Sequence, residues 1–285
     1  WGVARVPDSG YVTAHTTGFD DDAYQAILNA QVLCEQLADI SAPSMALIGL
    51  RDFQGDETAL TDLRGGTQNR VQGVLFGSKK ASKSAGVGKA LGRLAAIPVQ
   101  RSQGRVKDGD LNVSPAYLSD GKPATDYSDA QLGIMHDKGY LIPVRHPGRS
   151  GYYFNVDPLA TSASDDYYSA SRRRTINKAR RIVEATLVNE INDEVLVSTK
   201  TGYIAPQQIK SYLALIKNAI ELQMADNLPF EDGTANPGDP VIVFIDPKQK
   251  VLQSRTINVT INLVPFGISE NFDVKLGVTD PSNAA

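Results

Sequence analysis

Only a few segments of this 285-residue chain have the residue types and spacing that catalysis would need. One of them runs from Lys83 to Ala90 and resembles a phosphate-binding loop. A Walker A motif needs a glycine five residues before Gly88, and Ser or Thr directly after Lys89. Lys83 and Ala90 occupy those two positions. We therefore interpret the segment as the glycine-bearing start of a helix.

A second segment, Gly148-Arg-Ser-Gly151, resembles the nucleophile elbow of a hydrolase. That motif needs one more residue between Ser150 and the second glycine, and it follows a strand and opens a helix. The spacing is wrong here, and a turn explains the two glycines.

The histidines and the acidic runs do not predict a metal or acid–base site. The three histidines are His15, His136 and His146. None of them has a cysteine or a second histidine at ligand spacing. The acidic runs Asp20-Asp21-Asp22 and Asp165-Asp166 each stand at a predicted helix start, where carboxylates complement the helix dipole. We therefore predict no catalytic residue, no cofactor and no metal site.

Composition narrows the class of protein and its partners. With 41% hydrophobic residues, the chain can bury one large core or two modest ones. Its formal net charge of -3 gives no overall attraction to nucleic acid or anionic lipid. The longest apolar runs, such as residues 241–245, are far shorter than the roughly 20 residues that cross a bilayer. We expect neither nucleic-acid binding nor membrane insertion.

The single cysteine, Cys34, cannot form an internal disulfide, and it falls within the apolar periodicity of a predicted helix. A reducing compartment fits this. The chain starts at Trp1 without an initiator methionine, so we expect that residues precede it.

The predicted elements alternate between helix and strand in the first half of the chain. We predict helices at about residues 20–40 and 84–96, and strands at about 45–50, 71–76 and 140–144. This alternation favours an α/β fold with a mostly parallel or mixed sheet flanked by helices. We divide the chain at about residue 150, into an N-terminal α/β part (1–150) and a C-terminal part (151–285).

The C-terminal part opens with a predicted pair of long helices. Ser164 is the expected N-cap of a helix that runs from about 165 to 191. Its apolar face comprises Ile176, Ala179, Val183 and Leu187, and its opposite face Arg174, Lys178 and Arg181. Pro206 opens the second helix, which continues to about 225 and packs against the first.

The cations of the first long helix are the densest charge feature of the sequence. They are Arg172, Arg173, Arg174, Lys178, Arg180 and Arg181, and we call them the basic stripe. A nucleic-acid-binding surface would interleave aromatic stacking platforms with such cations, and no aromatic residue follows along the stripe. Two interpretations stay open, a solvent-exposed face and a contact with an acidic protein surface.

The tail changes its hydrophobic period from 3.6 to 2, which is typical of strands. Ile257, Val259, Ile261 and Leu263 alternate with polar residues, and the alternation returns in Phe272, Val274, Leu276 and Val278. The tail is therefore predicted to form a β-hairpin. Such strands complete their own sheet or pair with the sheet edge of a neighbouring subunit.

Several of these segments, in this order, resemble the tail sheath family of prophages and related contractile injection systems. The first two run from Val87 to Arg101 and from Gly104 to Gly109. Asp165 to Tyr168, Arg173 to Lys178 and Val259 to Gly267, together with the helix pair, resemble the C-terminal part of tail sheath proteins. The segments cover most of residues 45–280, and none of them is catalytic.

The resemblance implies a structural subunit and not an enzyme. Such a subunit polymerises helically around an inner tail tube and contracts to drive the tube through a target envelope. Its partners are copies of itself and the tube protein. The resemblance also implies assembly in the bacterial cytoplasm and a final place in a phage tail or tail-like particle.

The resemblance also assigns roles to two groups of residues. In the family, extended arms exchange strands between neighbouring subunits, and the residues that match the C-terminal arm are Phe272, Val274, Leu276 and Val278. We take these as the subunit-linking strand. Arg174, Lys178 and Arg181 are the candidate contacts with the tube or with a neighbouring subunit.

Two rival classes remain open. A small-molecule or nucleotide-binding α/β enzyme would show convergent polar groups at the carboxyl ends of its strands. A nucleic-acid-binding module would bind in a salt-sensitive way through the basic stripe. A sheath subunit predicts neither.

Overall fold

The computed structural model describes residues 1–230 and 238–270 of the chain. The helices are α1 (Asp21–Asp39), α2 (Val87–Ala96), α3 (Asp129–Asp137), α4 (Ala170–Leu187), α5 (Pro206–Met224) and α6 (Val251–Ser254). The strands are β1 (Gly2–Val3), β2 (Ala46–Gly49), β3 (Thr67–Gln68), β4 (Val71–Val74), β5 (Tyr140–Leu141), β6 (Pro143–Val144), β7 (Tyr153–Phe154), β8 (Ala160–Thr161), β9 (Val241–Ile245) and β10 (Val259–Leu263).

The central sheet confirms the predicted α/β fold. Its strand order is β1-β2-β4-β5, and every neighbouring pair is parallel. Every residue of β2 and β4 is buried, because helices cover both faces. Along β2, Ile48 packs into the core cluster that contains α1, and Leu47 packs into the cluster that contains α2.

The helices thus form one layer on each side of the sheet. The first layer consists of α1 and α3, whose residues Ile27 and Met135 share a core cluster with Ile48. The second layer is α2, whose Ala90 and Leu94 pack against the other face. Cys34 lies in the first cluster, and burial raises the pKa of its thiol.

The start of α1 confirms that the first acidic run caps a helix. The carboxylate of Asp20 accepts a hydrogen bond from the Asp22 backbone N–H at 3.1 Å. The carboxylate of Asp21 accepts hydrogen bonds from the backbone N–H groups of Thr16 and Thr17. This run is used in local structure, as expected.

The predicted start of α4 is wrong by five residues. The helix begins at Ala170, and its N-cap is Ser169, whose hydroxyl accepts from the Arg172 backbone N–H. The physical reason lies at Asp165, whose carboxylate accepts from the Tyr167 backbone N–H at 2.7 Å. A short acidic side chain that bonds to its own following backbone stabilises a turn in place of a helix.

The helix pair and the tail strand agree with the sequence. The helix α5 begins at Pro206, and its Ile216 and Ile220 pack with Ile182 and Val183 of α4. The strand β10 pairs antiparallel with β9, and the inner face of this two-stranded ribbon packs in the same cluster. Among the described residues, no helix is long and apolar enough to span a membrane.

Candidate interaction surfaces

The basic stripe of α4 mostly contacts other parts of the same chain. The guanidinium of Arg174 donates to the backbone oxygens of Leu94 at 2.7 Å, Ile97 at 2.9 Å and Pro98 at 3.4 Å. The carbonyls of Leu94 and the C-cap residue Ile97 belong to the C-terminal end of α2, where helix geometry leaves them without intrahelical partners. Arg174 therefore caps α2.

A second arginine of the stripe caps the other helical layer. The guanidinium of Arg180 donates to the backbone oxygen of Ala38 in the last turn of α1, and it also binds the carboxylate of Glu184. Since α1 and α2 lie on opposite faces of the sheet, α4 is tied to both layers. Arginines near helix C-termini also oppose the negative end of the helix dipole.

Three more cations of the stripe are engaged within the subunit. Arg173 is buried, donates to the backbone oxygen of Asn69, and lies over the ring of Tyr167 at 4.0 Å. Arg172 lies over the ring of Tyr168 at 4.4 Å. The ammonium group of Lys178 donates to the side-chain oxygen of Asn227.

These contacts correct the idea that the whole stripe is a solvent-exposed face. Among the described residues of the predicted apolar face, Ala179, Val183 and Leu187 pack in a core cluster and Ile176 does not. The periodicity also could not show that helix ends from elsewhere in the chain cover the basic side. Of the three candidate contact residues, Arg181 alone is exposed; Arg174 and Lys178 are half-buried. Their contact with a tube or neighbouring subunit stays a prediction.

A buried carboxylate holds the N-terminus of α4 against the N-terminal part. The carboxylate of Asp157, which is 3% exposed, accepts from the Ser171 backbone N–H at 2.6 Å. Burial raises the pKa of Asp157 to about 6, although hydrogen bonds from Ser171 and Ser102 and the charge of Arg174 favour the ionised form. Sequence reasoning missed this residue because nothing in the local pattern marks its burial.

The outer face of the β9–β10 ribbon is an exposed apolar surface. Ile242 and Phe244 on β9 are 53% and 59% exposed. They stand opposite Asn262 and Thr260 of β10. Neither strand has a further partner strand within the described residues. Exposed apolar side chains beside free backbone edges are typical of a surface that binds another chain.

The predicted subunit-linking strand cannot be compared with this ribbon. Phe272, Val274, Leu276 and Val278 lie outside the described residues. The pairing of β9 with β10 therefore involves only the first of the two predicted tail strands, at residues 257–263. The run at 241–245, which the sequence showed as continuously apolar, supplies the partner strand.

One cavity is lined by two of the three histidines, His136 and His146. It has a volume of about 730 Å³ and lies between α3 and the turn at residues 145–149. His136 lines it, and its Nδ1 is 3.1 Å from the side-chain nitrogen of Asn155. His146 packs on the Tyr153 ring at 5.3 Å. Within residues 1–230 and 238–268, no serine or cysteine side chain is hydrogen-bonded to a histidine.

The other segments singled out for chemistry have structural roles. Gly86 precedes α2 as its N-cap, and Lys83 forms an ion pair with Asp52 at 2.7 Å. His15 hydrogen-bonds the same Asp52 at 2.9 Å. The Gly148–Gly151 segment is a turn, in which the Arg149 N–H donates to the His146 oxygen. No group of three or more potential metal ligands occurs within residues 1–230 and 238–270.

The chain has the fold of contractile sheath proteins. It superimposes on a chain of the anti-feeding prophage baseplate with a TM-score of 0.60 and 14% identity, over 92% of this chain and 67% of that chain. The contracted helical sheath of the anti-feeding prophage gives a TM-score of 0.60 and 15% identity, over 88% and 66%. The contracted PVC sheath complex of an extracellular contractile injection system gives a TM-score of 0.50 and 14% identity, over 79% of this chain and 59% of that chain. This chain thus spans about two thirds or less of the length of these proteins.

The sequence itself defines a narrower family. The chain belongs to the DUF2586 family, whose N-terminal domain matches residues 8–157 and whose C-terminal domain matches residues 166–283. No curated protein sequence matches it.

Proposed function

We propose that this protein is a structural subunit of a contractile tail sheath, which polymerises helically around an inner tail tube. The observation that carries the proposal is the shared fold, which extends over 92% of this chain. The exposed apolar face of the β9–β10 ribbon supports it, because apolar side chains beside free strand edges are typical of a surface that binds another chain. Assembly would take place in the bacterial cytoplasm, and the product would be a phage tail or tail-like particle.

The β9–β10 ribbon is the proposed docking point for a strand of the neighbouring subunit. A chain can add to a free strand edge through backbone hydrogen bonds, while alternate side chains fill apolar sites. The alternating residues Phe272, Val274, Leu276 and Val278 have the pattern that such an added strand needs. Linked in this way, subunits would stay connected while their bodies reorient.

Contraction in this proposal needs no cofactor. The work would come from the difference in contact free energy between two packings of the subunits, summed over the assembly. Each subunit would move as a body, since α4 is tied to both helical layers through Arg174 and Arg180.

The proposed tube contact rests mainly on Arg181. Its side chain is exposed, and within residues 1–230 and 238–270 it hydrogen-bonds its own helix alone, at the Asn177 oxygen. We expect Arg181→Glu to weaken co-purification with the tube protein, while Lys210→Glu, an exposed cation of α5, leaves it unchanged. Equal binding of both variants would remove Arg181 from the contact.

The linking strand is tested by electron microscopy of the natural full chain. The first variant ends before Phe272, and the second replaces Val274 and Leu276 with aspartate. Replacement of Asp273 and Lys275 with alanine is the matched control, because these residues alternate with the apolar ones. We expect rings or tubes from the parent and the control only. A parent that stays monomeric would contradict the sheath function, and tubes from all variants would contradict the linking strand.

A further inference from the structure

The two helical layers of the N-terminal part carry opposite charges. The helices α1 and α3 together contain six Asp and Glu residues and no Lys or Arg. The helix α2 contains Lys89 and Arg93 and no acidic residue. The chain from residue 63 to residue 107 contains ten Lys and Arg and no Asp or Glu. The net charge of -3 therefore conceals a difference in sign between the helices on the two faces of the sheet, although Arg64 and Arg70 of this segment lie on the side of α1 and α3.

Exposed charged side chains define a surface on each layer. The acidic surface consists of Glu35 and Asp39 on α1 and Asp129 and Asp137 on α3. The basic surface consists of Lys89 on α2 and Lys107 beside it, and Asp110 lines the same cavity as Lys89. Within the part of the chain that is described, Glu35, Asp39, Asp129, Asp137, Lys89 and Lys107 form no ion pair.

Arg93 of α2 holds the loop that contains Lys107 against this helix. The guanidinium of Arg93 donates to the backbone oxygens of Arg105, Asp108 and Gly109. The loop that contains Lys107 is therefore held against α2, so that Lys89 and Lys107 present their charges on the same layer.

Two of these charges oppose the dipole of their own helix. Asp39 is the last residue of α1, where the helix end is negative, and Lys89 is the third residue of α2, where the helix end is positive. A charge of the wrong sign at a helix end destabilises it by about 0.3–1 kcal/mol. Within the subunit, Arg180 opposes the negative end of α1 at Ala38, and an opposite charge from another chain would further offset both unfavourable interactions.

The outer face of α2 also has a shape that admits a neighbour. Gly88 and Gly92 lie one turn apart, and a Cβ atom at either position would meet no atom within 4 Å. Glycine within a helix destabilises it by about 1 kcal/mol relative to alanine. Packing within the subunit does not require these glycines, and their effect is to leave the backbone of α2 accessible beside Lys89.

We propose that the acidic surface of one copy of this chain docks on the basic surface of the next copy. The inference rests on the proposed function, in that it names one contact of the polymer. Each copy carries both surfaces on opposite faces of its sheet, so the contact is heterologous and leaves one free surface at each end. Such contacts produce open arrays, and opposite potentials fix their orientation.

The contact has a distinct dependence on salt. The six charged groups of the two surfaces are exposed, so their attraction is screened when the Debye length falls from about 10 Å at 0.1 M salt to about 3 Å at 1 M. We expect self-association to weaken by about tenfold or more over this range. An apolar contact would be unchanged or strengthened under the same conditions.

Charge-reversal variants of the natural full chain, alone and mixed, test the proposal. The first variant, Lys89→Glu with Lys107→Glu, has acid on both layers. The second variant, Glu35→Lys with Asp39→Lys, removes acid from the first layer and adds cations there. Matched controls are Lys200→Glu with Lys210→Glu, and Asp193→Lys with Glu194→Lys, which make the same changes in net charge at exposed positions elsewhere. Sedimentation velocity measures the assembly of each variant and of equimolar mixtures.

We expect each of the two variants alone to sediment as smaller species than the parent, and their mixture to recover larger species. The controls should assemble like the parent. If the parent assembles and both variants assemble equally well, the charge contact is wrong while the sheath function stands. If the mixture recovers nothing, the complementarity is wrong. If the parent itself is monomeric at every salt concentration, the contact and the proposed function are both wrong.

Discussion

The central parallel sheet and the β9–β10 ribbon are built from similar apolar residues, yet they differ in how much of those residues they bury. Every residue of β2 and β4 is buried, whereas Ile242 and Phe244 of the ribbon are mostly exposed. The sheet has helices of the same chain on both faces, and the ribbon has them on one. An apolar strand is therefore fully buried within the subunit only when the same chain covers both faces of its sheet.

The largest expected difference between the two regions is in the cost of removing an apolar side chain. Leu47→Ala, in the fully covered strand β2, should lower the free energy of unfolding by about 3 kcal/mol, because it leaves a cavity. Ile242→Ala, on the open face of the ribbon, should change it by less than about 0.5 kcal/mol. Urea unfolding followed by circular dichroism measures both. Similar values for the two variants would show that the ribbon is covered within the monomer.

A second difference lies in pH dependence, because the sheet side alone contains a buried carboxyl with a raised pKa. The pKa of Asp157 is about 6 in the folded chain and about 4 when unfolded. The folded state therefore binds the proton more tightly, and this contribution is present below pH 4 and is lost as pH rises through 6. Its size is on the order of 3 kcal/mol.

Asp157→Asn should flatten the change in unfolding free energy between pH 4 and pH 7 relative to the parent. The asparagine oxygen can still accept from the Ser171 N–H, so the capping geometry is retained. Asp246→Asn, at an exposed position after the ribbon, serves as the control. A parent and an Asp157→Asn variant with parallel pH profiles would contradict the raised pKa.

A third comparison separates two arginines of α4 that the sequence places on one face. Arg174→Ala should lower the free energy of unfolding by about 2 kcal/mol, because hydrogen bonds from a charged donor to the carbonyls at the end of α2 are lost. Arg181→Ala should change it by less than about 0.5 kcal/mol, since its side chain is exposed. Thermal unfolding of the two variants measures this. Equal stability would show that Arg174 does not cap α2 in solution.

The smallest expected change in the free energy of unfolding is at Phe244, where a substitution separates the stability of the monomer from its assembly. Phe244→Ser should leave the unfolding free energy within about 0.5 kcal/mol of the parent while it reduces assembly observed by electron microscopy. Thr260→Ser, at the opposite position of β10, is the control. Intact assembly of Phe244→Ser would assign the exposed apolar face no part in subunit contact.

The sequence predicted the layered part of the fold well because each element there has its own local signal. The strands at 46–49 and 71–74 are short apolar runs, and Pro206 marks the start of α5. The start of α4 was missed because the Asp165 turn and a helix N-terminus share the same residue types. Helix periodicity found the cationic face of α4, but its partners are helix ends roughly 80 and 140 residues away in the chain, which no local pattern contains.

The candidate surfaces were predictable to a similar extent. The basic stripe was visible as charge, and its use inside the subunit was not. The exposed face of the ribbon was hidden in a continuous apolar run, since such a run does not say whether one face or both are covered. The separation of charge between α1, α3 and α2 emerges only once the helices are assigned to opposite faces of the sheet.

The double attachment of α4 has a mechanical consequence. Arg174 ties it to the end of α2 on one face of the sheet, and Arg180 ties it to the end of α1 on the other. A force applied along α4 is therefore divided between two load paths that straddle the sheet, and neither helical layer bears it alone. Both attachments must rupture before α4 can be pulled away from the body of the subunit.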